Sequence, residues 1–248
     1  MIKIDAISKS FGDRKILSDI SASFNPGETS LIIGGSGSGK TVFMKCMVGL
    51  FDIDQGRILY NERNFSEMDF GERKSIRQEI GMVFQGGALF DSMTVEENVI
   101  FPLSMFAKMS QEEKIERANF CLKRVNLINV NKHSPSELSG GMKKRVAIAR
   151  AIAMNPKYLF CDEPNSGLDP QTSIVIDNLI KEITSEYNIT TVINTHDMNS
   201  VIEIGDKIVF IYQGQKWWEG NSKEILETDN KEMAEFIFAS KLLQKLRK

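Results

Sequence analysis

A glycine-rich stretch of eight residues, GGSGSGKT, has the composition of a phosphate-binding loop. It fits the pattern G-x-x-x-x-G-K-[ST] and lies between an apolar strand-like run, SLII, and a helical pattern. Glycines let successive backbone N–H groups converge on phosphate oxygens, and the N-terminus of the following helix favours negative charge. A flexible Gly/Ser linker would not be framed in this way or end in Gly-Lys-Thr. The residues predicted to bind phosphate are Gly34, Gly35, Ser36, Gly37, Ser38, Gly39, Lys40 and Thr41.

Two charged or polar side chains of this loop and an acidic pair farther along the chain could carry out hydrolysis. Lys40 brings positive charge to the β- and γ-phosphates, and the Thr41 hydroxyl is a ligand for Mg²⁺. The apolar run KYLFC ends in Asp162 and Glu163. Asp162 can hold Mg²⁺ through its water shell, and Glu163 can polarise an attacking water. An acidic pair at a strand end is often only a turn, but beside a phosphate loop it favours catalysis.

A third candidate is the segment LSGGMKKRVAIARA, in which Ser139, Gly140 and Gly141 open a predicted helix. It offers a second helix N-terminus for phosphate in a chain that already has one. By itself a Ser-Gly-Gly sequence would indicate only a helix cap. Here it precedes the acidic pair, and SGLDP at 166–170 and THD at 195–197 follow in order.

This ordered set of motifs resembles the ATP-binding subunit of ABC transporters, over about residues 2–220. The resemblance implies ATP and Mg²⁺ as cofactors, with Mg²⁺ near Thr41, Gln85 and Asp162. It also implies that two copies pair head to tail, so that the segment 139–141 of one copy faces the ATP bound to the other.

The resemblance assigns further roles by position. Lys40, Gln85, Glu163 and His196 are the implied catalytic residues. Of these, Gln85 would reach Mg²⁺ and the attacking water. Glu163 would be the general base, and His196 would hydrogen-bond to the γ-phosphate. Asp169 would cross the dimer seam. Phe11 occupies the place of an adenine-stacking aromatic, with a core aromatic as the alternative.

The elements that must position these residues follow from hydrophobic periodicity. Short strand-like runs at 1–33, 57–60 and 81–85 precede a helical stretch at about 86–155, after which strands and helices alternate. This order indicates a mostly parallel sheet with a helical insertion. The resemblance makes the fold an α/β P-loop NTPase (RecA-like) core with an N-terminal antiparallel β subdomain and an inserted α-helical subdomain. We expect an ATPase domain at 1–240, its core at about 1–85 and 156–220, and a tail of two short helices with a basic end at 222–248.

The composition indicates the cellular compartment of the chain and the classes of partner that it could bind. A net charge of −2 and a pI of about 5.9 give no global attraction to nucleic acid. No apolar run approaches the roughly 18 residues of a membrane span, and the N-terminal segment lacks a signal-peptide core. Three cysteines among apolar neighbours indicate core residues in a reducing compartment, and two histidines cannot build a Cys/His metal cluster. We expect a cytosolic chain, peripheral to the cytoplasmic side of the inner membrane.

The stretch VFQGGALFDSMTVEENVIFPL combines glycine with large adaptable apolar residues. In the family that the chain resembles, this region forms a groove that receives a short helix of the membrane permease. We expect the groove to be formed in part by Phe90, Met93, Phe101 and Met105. FQGGALFDSMTVEENV, LSGGM and GSGSGKTVFMK together resemble the ATPases of Mla/Mce phospholipid transport systems. This finer resemblance implies phospholipid cargo, an Mce-type lipid-binding partner and a small regulatory subunit.

Three other functions stay open from the sequence. The first keeps the transporter and changes the cargo, for example to an amino acid or a drug, because absent partners choose the cargo. The second is a non-transport ABC ATPase acting on DNA or ribosomes, which usually carries zinc modules, coiled-coil insertions or fused ATPase halves. The third is a small-molecule kinase, which leaves LSGGM and THD unexplained.

Overall fold

A computed structural model describes residues 1–237 of the 248-residue chain. Its first sheet is antiparallel, with the strand order β2-β1-β4-β5. Its strands are β1 (Ile2–Phe11), β2 (Arg14–Phe24), β4 (Gln55–Tyr60) and β5 (Arg63–Asn64). Ile2 and Ile4 are buried and the residue between them is exposed, as expected for a strand with one face on a core. The register between β1 and β2 shifts after Ile4, which turns the strand without removing its apolar face from the core.

The second sheet has the order β10-β9-β3-β8-β7-β6. Its strands are β3 (Thr29–Ile33), β6 (Ile80–Val83), β7 (Tyr158–Asp162), β8 (Thr190–Asn194), β9 (Lys207–Tyr212) and β10 (Gln215–Gly220). All neighbours are parallel except β9 and β10, which form an antiparallel hairpin. Every residue of β3 and β8 is buried, which explains why these strands are continuous in apolar and small polar residues and do not alternate.

Eight α-helices are found within residues 1–237. They are α1 (Lys40–Met47), α2 (Phe70–Gln78), α3 (Val95–Phe106), α4 (Gln111–Arg124), α5 (Gly140–Ile152), α6 (Pro170–Glu186), α7 (Met198–Ile204) and α8 (Lys231–Ile237). Capping boxes begin α3 at Thr94 and α4 at Ser110. Helices α3, α4 and α5 pack on one another through one continuous core that also covers β6, β7 and β8.

The predicted strands and helices are present, with a mostly parallel sheet, a separate antiparallel sheet and a helical group between β6 and β7. The boundary that bears on the site differs from the expectation: β6 ends at Val83, so Gln85 lies in the loop beyond the strand. The numerical domain boundaries remain a prediction. Cys46, Cys121 and Cys161 are buried and free, and burial raises the pKa of all three thiols, to about 12 for Cys46 and about 11 for Cys121.

The first part of the predicted tail packs against its own domain. Met233 and Ile237 of α8 are buried, and the Phe236 ring lies 5.6 Å from the Phe210 ring of β9. The predicted basic end, residues 238–248, lies outside the described residues. None of the helices within residues 1–237 combines the length and the apolar character needed to cross a lipid bilayer.

Candidate functional site

Four adjacent parallel strands bring the predicted motifs to one edge of the second sheet. In the order β3, β8, β7 and β6, they lead into the glycine-rich loop, the Thr-His-Asp segment, the acidic pair and Gln85. Asp162 and Asn194 are register partners at the ends of β7 and β8. Because the carboxyl ends of parallel strands share an edge, segments far apart in sequence meet there.

The phosphate loop connects β3 to α1. Gly34 has a φ of +148°, and a side chain there would overlap the carbonyl oxygen of Ile211. Gly39, with a φ of +107°, lies against Leu17 of β2. Both positions therefore require glycine. The exposed Ser36 and Gly37 lie at the outer bend of the loop, where backbone N–H groups can meet an anion.

Lys40 is buried at the first residue of α1, in the centre of this loop. Its Nζ donates hydrogen bonds to the carbonyl oxygens of Gly34 at 2.7 Å and Gly35 at 3.0 Å. Desolvation lowers the pKa of Lys40, while the negative charges of Glu163 and Asp162 act in the opposite direction. The ammonium is thus held within the loop and faces the acidic strand end.

Gln85, Glu163 and His196 come together in a hydrogen-bonded group. Gln85 Nε2 donates to Glu163 Oε2 at 2.8 Å, and His196 Nδ1 lies 2.9 Å from Glu163 Oε1. A carboxylate only accepts, so the Nδ1 of His196 carries a proton in this contact. This geometry fixes both oxygens of one carboxylate on a solvent-accessible side of the sheet edge.

The backbone of Glu163 is in the left-handed region, with a φ of +46°. For a residue with a side chain this conformation costs roughly 1–2 kcal/mol. Its N–H donates to the Asn194 carbonyl at 2.9 Å, and Lys144 Nζ lies 3.4 Å from the Glu163 carbonyl. Contacts on both sides thus hold the peptide that aims the carboxylate.

The residues predicted to bind Mg²⁺ fit that ion by their chemistry. Thr41, Gln85 and Asp162 all offer oxygen atoms, the ligands that Mg²⁺ prefers. Asp162 accepts a hydrogen bond from Asn194 Nδ2 at 3.1 Å, which orients its carboxylate. Within residues 1–237 no group of three His, Cys, Asp or Glu side chains could bind a metal unaided.

The segment 139–141 begins helix α5 away from the phosphate loop of the same chain. Ser139 caps the helix by accepting from Met142 N at 3.3 Å, and both Ser139 and Gly140 are exposed. A side chain at Gly141 would come within 2.6 Å of the Thr172 methyl group. No hydrogen bond among the described residues joins this segment to 34–41, so the structure does not bring the two predicted phosphate-binding segments together within one copy.

Asp169 lies beside that segment, as the cap of α6. Its carboxylate accepts from Thr172 N at 3.0 Å and from Thr172 Oγ1 at 2.5 Å. These hydrogen bonds lower the pKa of Asp169. The exposed residue thus carries a fixed negative charge on the same surface as Gly140.

Phe11 is exposed at the end of β1, with 45% of its surface accessible. Its ring packs edge-on against Phe51 at 5.1 Å, and Lys9 Nζ lies 5.4 Å from its centre. The Phe11 backbone pairs with Arg14 of β2. Two residues after Arg14, β2 reaches Ile16 and Leu17, which lie against Gly39 of the phosphate loop. Phe11 is therefore a partly exposed aromatic residue and not a core side chain.

A buried polar cluster that the sequence did not predict connects the loop after β7 with helices α6 and α7. Asn165 Nδ2 donates to Ser200 Oγ at 2.8 Å, and Ser200 Oγ donates to Asp177 Oδ2 at 2.7 Å. Burial raises the pKa of Asp177 to about 6, although hydrogen bonds from Ser200 and Asn165 oppose the shift.

This cluster predicts a pH dependence of stability. The folded-state pKa of Asp177 is about 6, above the ordinary value of 3.8, so the folded state binds the proton more tightly. The associated stability is fully present below pH 4 and is lost as pH rises through 6. We expect the free energy of unfolding of Asp177→Asn, relative to the unmodified chain, to rise by about 2 kcal/mol between pH 4 and 7. Urea unfolding of both proteins measures this, and a difference independent of pH would contradict it.

Lys144 is the other functional candidate that sequence reasoning missed. Its Nζ donates to the carbonyl oxygen of Gln85, and the side chain is buried. The sequence does contain a signal for the burial of Lys144. Helical spacing places this lysine on the same face of α5 as the apolar Ile148 and the close-packed Gly141.

Comparisons with known proteins bear on the family and the fold of this chain. The ABC transporter family model matches residues 17–166. The methionine import ATP-binding protein MetN of Clostridium tetani is 38% identical over 98% of this chain and 76% of its own length. The arginine transport ATP-binding protein ArtM of Bacillus subtilis is 38% identical over 98% of this chain and 100% of its own. A dimeric, post-hydrolysis structure of the ATP-binding cassette MJ0796 bound to ADP and Pi superposes with a TM-score of 0.82, at 33% identity, over 90% of this chain and 99% of that one.

These matches confirm the predicted α/β P-loop NTPase fold with its antiparallel β subdomain and helical region. They also confirm ATP binding and ATP hydrolysis as the activity of the chain. They leave the Mla/Mce sub-family without support, because the relatives named above are amino acid transport ATPases. The family match spans more than half of the chain, and the relatives span nearly all of it. The chain therefore belongs to the ABC transporter family, as an ATP-binding and ATP-hydrolysing subunit.

Proposed function

We propose that two copies of this chain bind two ATP molecules between them and use hydrolysis to drive import of an amino acid through a membrane permease. The observation that carries the catalytic part is the carboxylate of Glu163, held by Gln85 at 2.8 Å and His196 at 2.9 Å. It lies at the sheet edge that also carries the phosphate loop, where the γ-phosphate of a bound nucleotide would lie.

Each side chain of the site then has a distinct task. Glu163 accepts the proton of the attacking water as general base. Gln85 and His196 hold the carboxylate, and the Nε2 of His196 would hydrogen-bond to a γ-phosphate oxygen. Lys40 stabilises the charge that develops on the transferred phosphoryl group. Bound Mg²⁺, held by Thr41, Asp162 and Gln85, would supply further neutralisation of that charge.

The need for a second copy follows from the separation of the two phosphate-binding motifs. Ser139 and Gly140 are exposed, and no hydrogen bond within the described residues connects them to the phosphate loop. A head-to-tail pair places the segment 139–141 of each copy on the nucleotide of the other, and Asp169 beside the seam. Hydrolysis then depends on dimer closure, because the site is complete only in the closed pair. The dimeric state of the similar cassette MJ0796 supports this arrangement. The partly exposed ring of Phe11 would stack on adenine.

The permease would dock in an apolar groove beside Gln85. The groove has a volume of about 470 Å³ and is lined by twelve residues. Its most prominent members are the aromatic residues Phe84, Phe90, Phe101 and Phe106. The predicted contributions of Phe90 and Phe101 are consistent with this lining, whereas Met93 and Met105 do not line the groove. Closure of the dimer would move the two grooves together, on the cytoplasmic side of the membrane.

The relatives favour an amino acid as cargo, since both MetN and ArtM carry amino acid transport in their names. Phospholipid is a second candidate, supported by the segments FQGGALFDSMTVEENV and LSGGM, which resemble the Mla/Mce ATPases. That reading adds an Mce-type lipid-binding protein and a small regulatory subunit as partners. Both cargoes use the same ATPase mechanism.

The experiment that separates these readings is purification of the tagged chain in mild detergent from the cells that produce it. A multi-span permease with a solute-binding receptor and ATP-driven methionine or arginine uptake in liposomes would support amino acid import. A permease with an Mce-type protein and bound phospholipid would replace the amino acid by lipid. Recovery with DNA or ribosomes, and with no membrane protein, would overturn the transport function.

A groove variant provides an internal control for that purification. We expect Phe106→Asp to reduce the recovered permease at least tenfold, because a buried charge opposes apolar docking. ATP hydrolysis by the isolated chain should not change. The matched control is Phe120→Asp, at an exposed aromatic residue on α4 outside the groove. Equal permease recovery with both variants would contradict the assignment of the groove.

A further inference from the structure

Lys144 is a buried lysine whose contacts the proposed catalytic mechanism does not use. Only 6% of its surface is accessible. Its Nζ donates to the carbonyl oxygen of Gln85 and lies 3.4 Å from that of Glu163. Burial lowers its pKa, and the negative charge of Glu163 acts in the opposite direction. A buried ammonium is costly unless it is well paired, so contact with two loop carbonyls indicates a specific role.

The two carbonyls belong to the two segments that set the catalytic geometry. The side chains of Gln85 and Glu163 are joined by a hydrogen bond of 2.8 Å, and Glu163 holds a left-handed backbone conformation. A small displacement of either peptide would turn the carboxylate away from the water it must deprotonate. Such misplacement by about 1 Å can lower a rate by as much as roughly 100-fold.

Helix α5 supports the same loop at further points. Arg150, also on α5, donates to the carbonyl oxygens of Gly87 at 2.7 Å and Ala88 at 2.8 Å. Lys144 and Arg150 therefore fix the loop after Gln85 to one helix at three carbonyl groups. A movement of this helix must carry the loop with it.

The N-terminus of the same helix is the segment 139–141, which the proposed function places on the ATP of the second copy. Lys144 follows Gly141 by three residues, a rise of about 4.5 Å along the helix axis. In the proposed dimer, helix α5 would thus contact one nucleotide at its start and, at its second turn, hold the loops that act on the other nucleotide.

We propose that Lys144 is a positioning residue that transmits a displacement of α5 to Gln85 and Glu163, so that nucleotide bound at one site aligns the general base of the other. This role rests on the proposed function. The lysine does not touch the reacting atoms. It connects the end of the helix that senses the partner's nucleotide to the peptide carbonyls that aim the Glu163 carboxylate.

The test is steady-state ATP hydrolysis by the full chain with three substitutions. For Lys144→Met we expect kcat to fall about tenfold while KM for MgATP stays within about twofold, because ground-state nucleotide contacts are intact. Lys144→Gln retains a side-chain donor and should recover at least half of the lost kcat. Lys181→Met is the matched control, because Lys181 Nζ also donates to a backbone carbonyl, that of Glu203 at 3.3 Å, away from the site. We expect this control to have the kcat of the unmodified chain.

Several outcomes would overturn the positioning role. The first is that Lys144→Met has an unchanged kcat. The second is that its KM for MgATP rises in parallel with the loss of kcat, and the third is that Lys144→Gln does not recover the lost kcat. Thermal unfolding of each variant identifies a merely structural effect. Such an effect would lower the melting temperature of the variants, and Lys144→Gln would not recover the lost kcat. Absence of dimerisation and hydrolysis in the unmodified chain would instead refute the proposed function.

Discussion

Glu163→Gln is expected to bind ATP and to lose turnover. The amide keeps the shape of the side chain and a hydrogen-bonding partner for Gln85, but it cannot take a proton from water. Loss of a general base lowers a rate typically by about 10²–10⁴-fold, so kcat should fall within that range. Because the nucleotide contacts remain, ATP should accumulate in the closed pair and trap it.

Two measurements check this expectation in one protein. Single-turnover hydrolysis gives the loss of rate, and size-exclusion chromatography with ATP detects the trapped dimer. Glu182→Gln, at an exposed position on α6, is the control for loss of a carboxylate away from the site. Normal turnover by Glu163→Gln would refute the general-base assignment. Lost turnover without ATP-dependent dimerisation would refute the trapped-dimer part of the mechanism.

Lys40→Met should abolish hydrolysis by a different route, through binding and phosphate stabilisation together. Its ammonium is the buried cation at the centre of the loop, and it donates to the carbonyls of Gly34 and Gly35. Methionine fills similar volume but leaves those carbonyls and the phosphates without a donor. Removal of a preorganised donor to a developing charge typically lowers kcat by about 10²–10³-fold. We also expect KM for ATP to rise.

Binding of a fluorescent ATP analogue and steady-state kinetics separate the two effects of Lys40→Met. Lys74→Met, at an exposed position on α2, is the control for loss of a positive charge. Retained ATP affinity together with an undiminished kcat would place the phosphate-stabilising charge elsewhere.

Sequence reasoning located the motifs because each lies where a strand or helix must begin or end. The phosphate loop follows an apolar run and precedes a helix, and the acidic pair ends a buried strand. These are local patterns, and the structure retains them. Local sequence patterns could not predict that Gln85 and His196 lie beside Glu163. This proximity depends on the order β8-β7-β6, which joins strands from distant parts of the chain, and only the family resemblance suggested it.

The features that the sequence did not reveal depend on tertiary contacts between polar groups. Asn165, Asp177 and Ser200 form a cluster only because the loop after β7, α6 and α7 pack together. The lining of the groove likewise depends on tertiary contacts that the sequence did not reveal. Met93 precedes the cap of α3 and Met105 lies on an exposed face of that helix, so neither side chain lines the groove despite its apolar character.

Strand β6 has a consequence for how this protein behaves in solution. Among residues 1–237 it pairs only with β7 and is thus an edge strand of the six-stranded sheet, and its residues Ile80 and Met82 line the apolar groove beside it. An open edge beside an apolar surface favours aggregation through strand pairing between copies. The brevity of β6, four residues, limits such pairing because few hydrogen bonds could form. The short edge therefore limits strand pairing between copies, although it lies beside the apolar groove that we propose as the permease-docking surface.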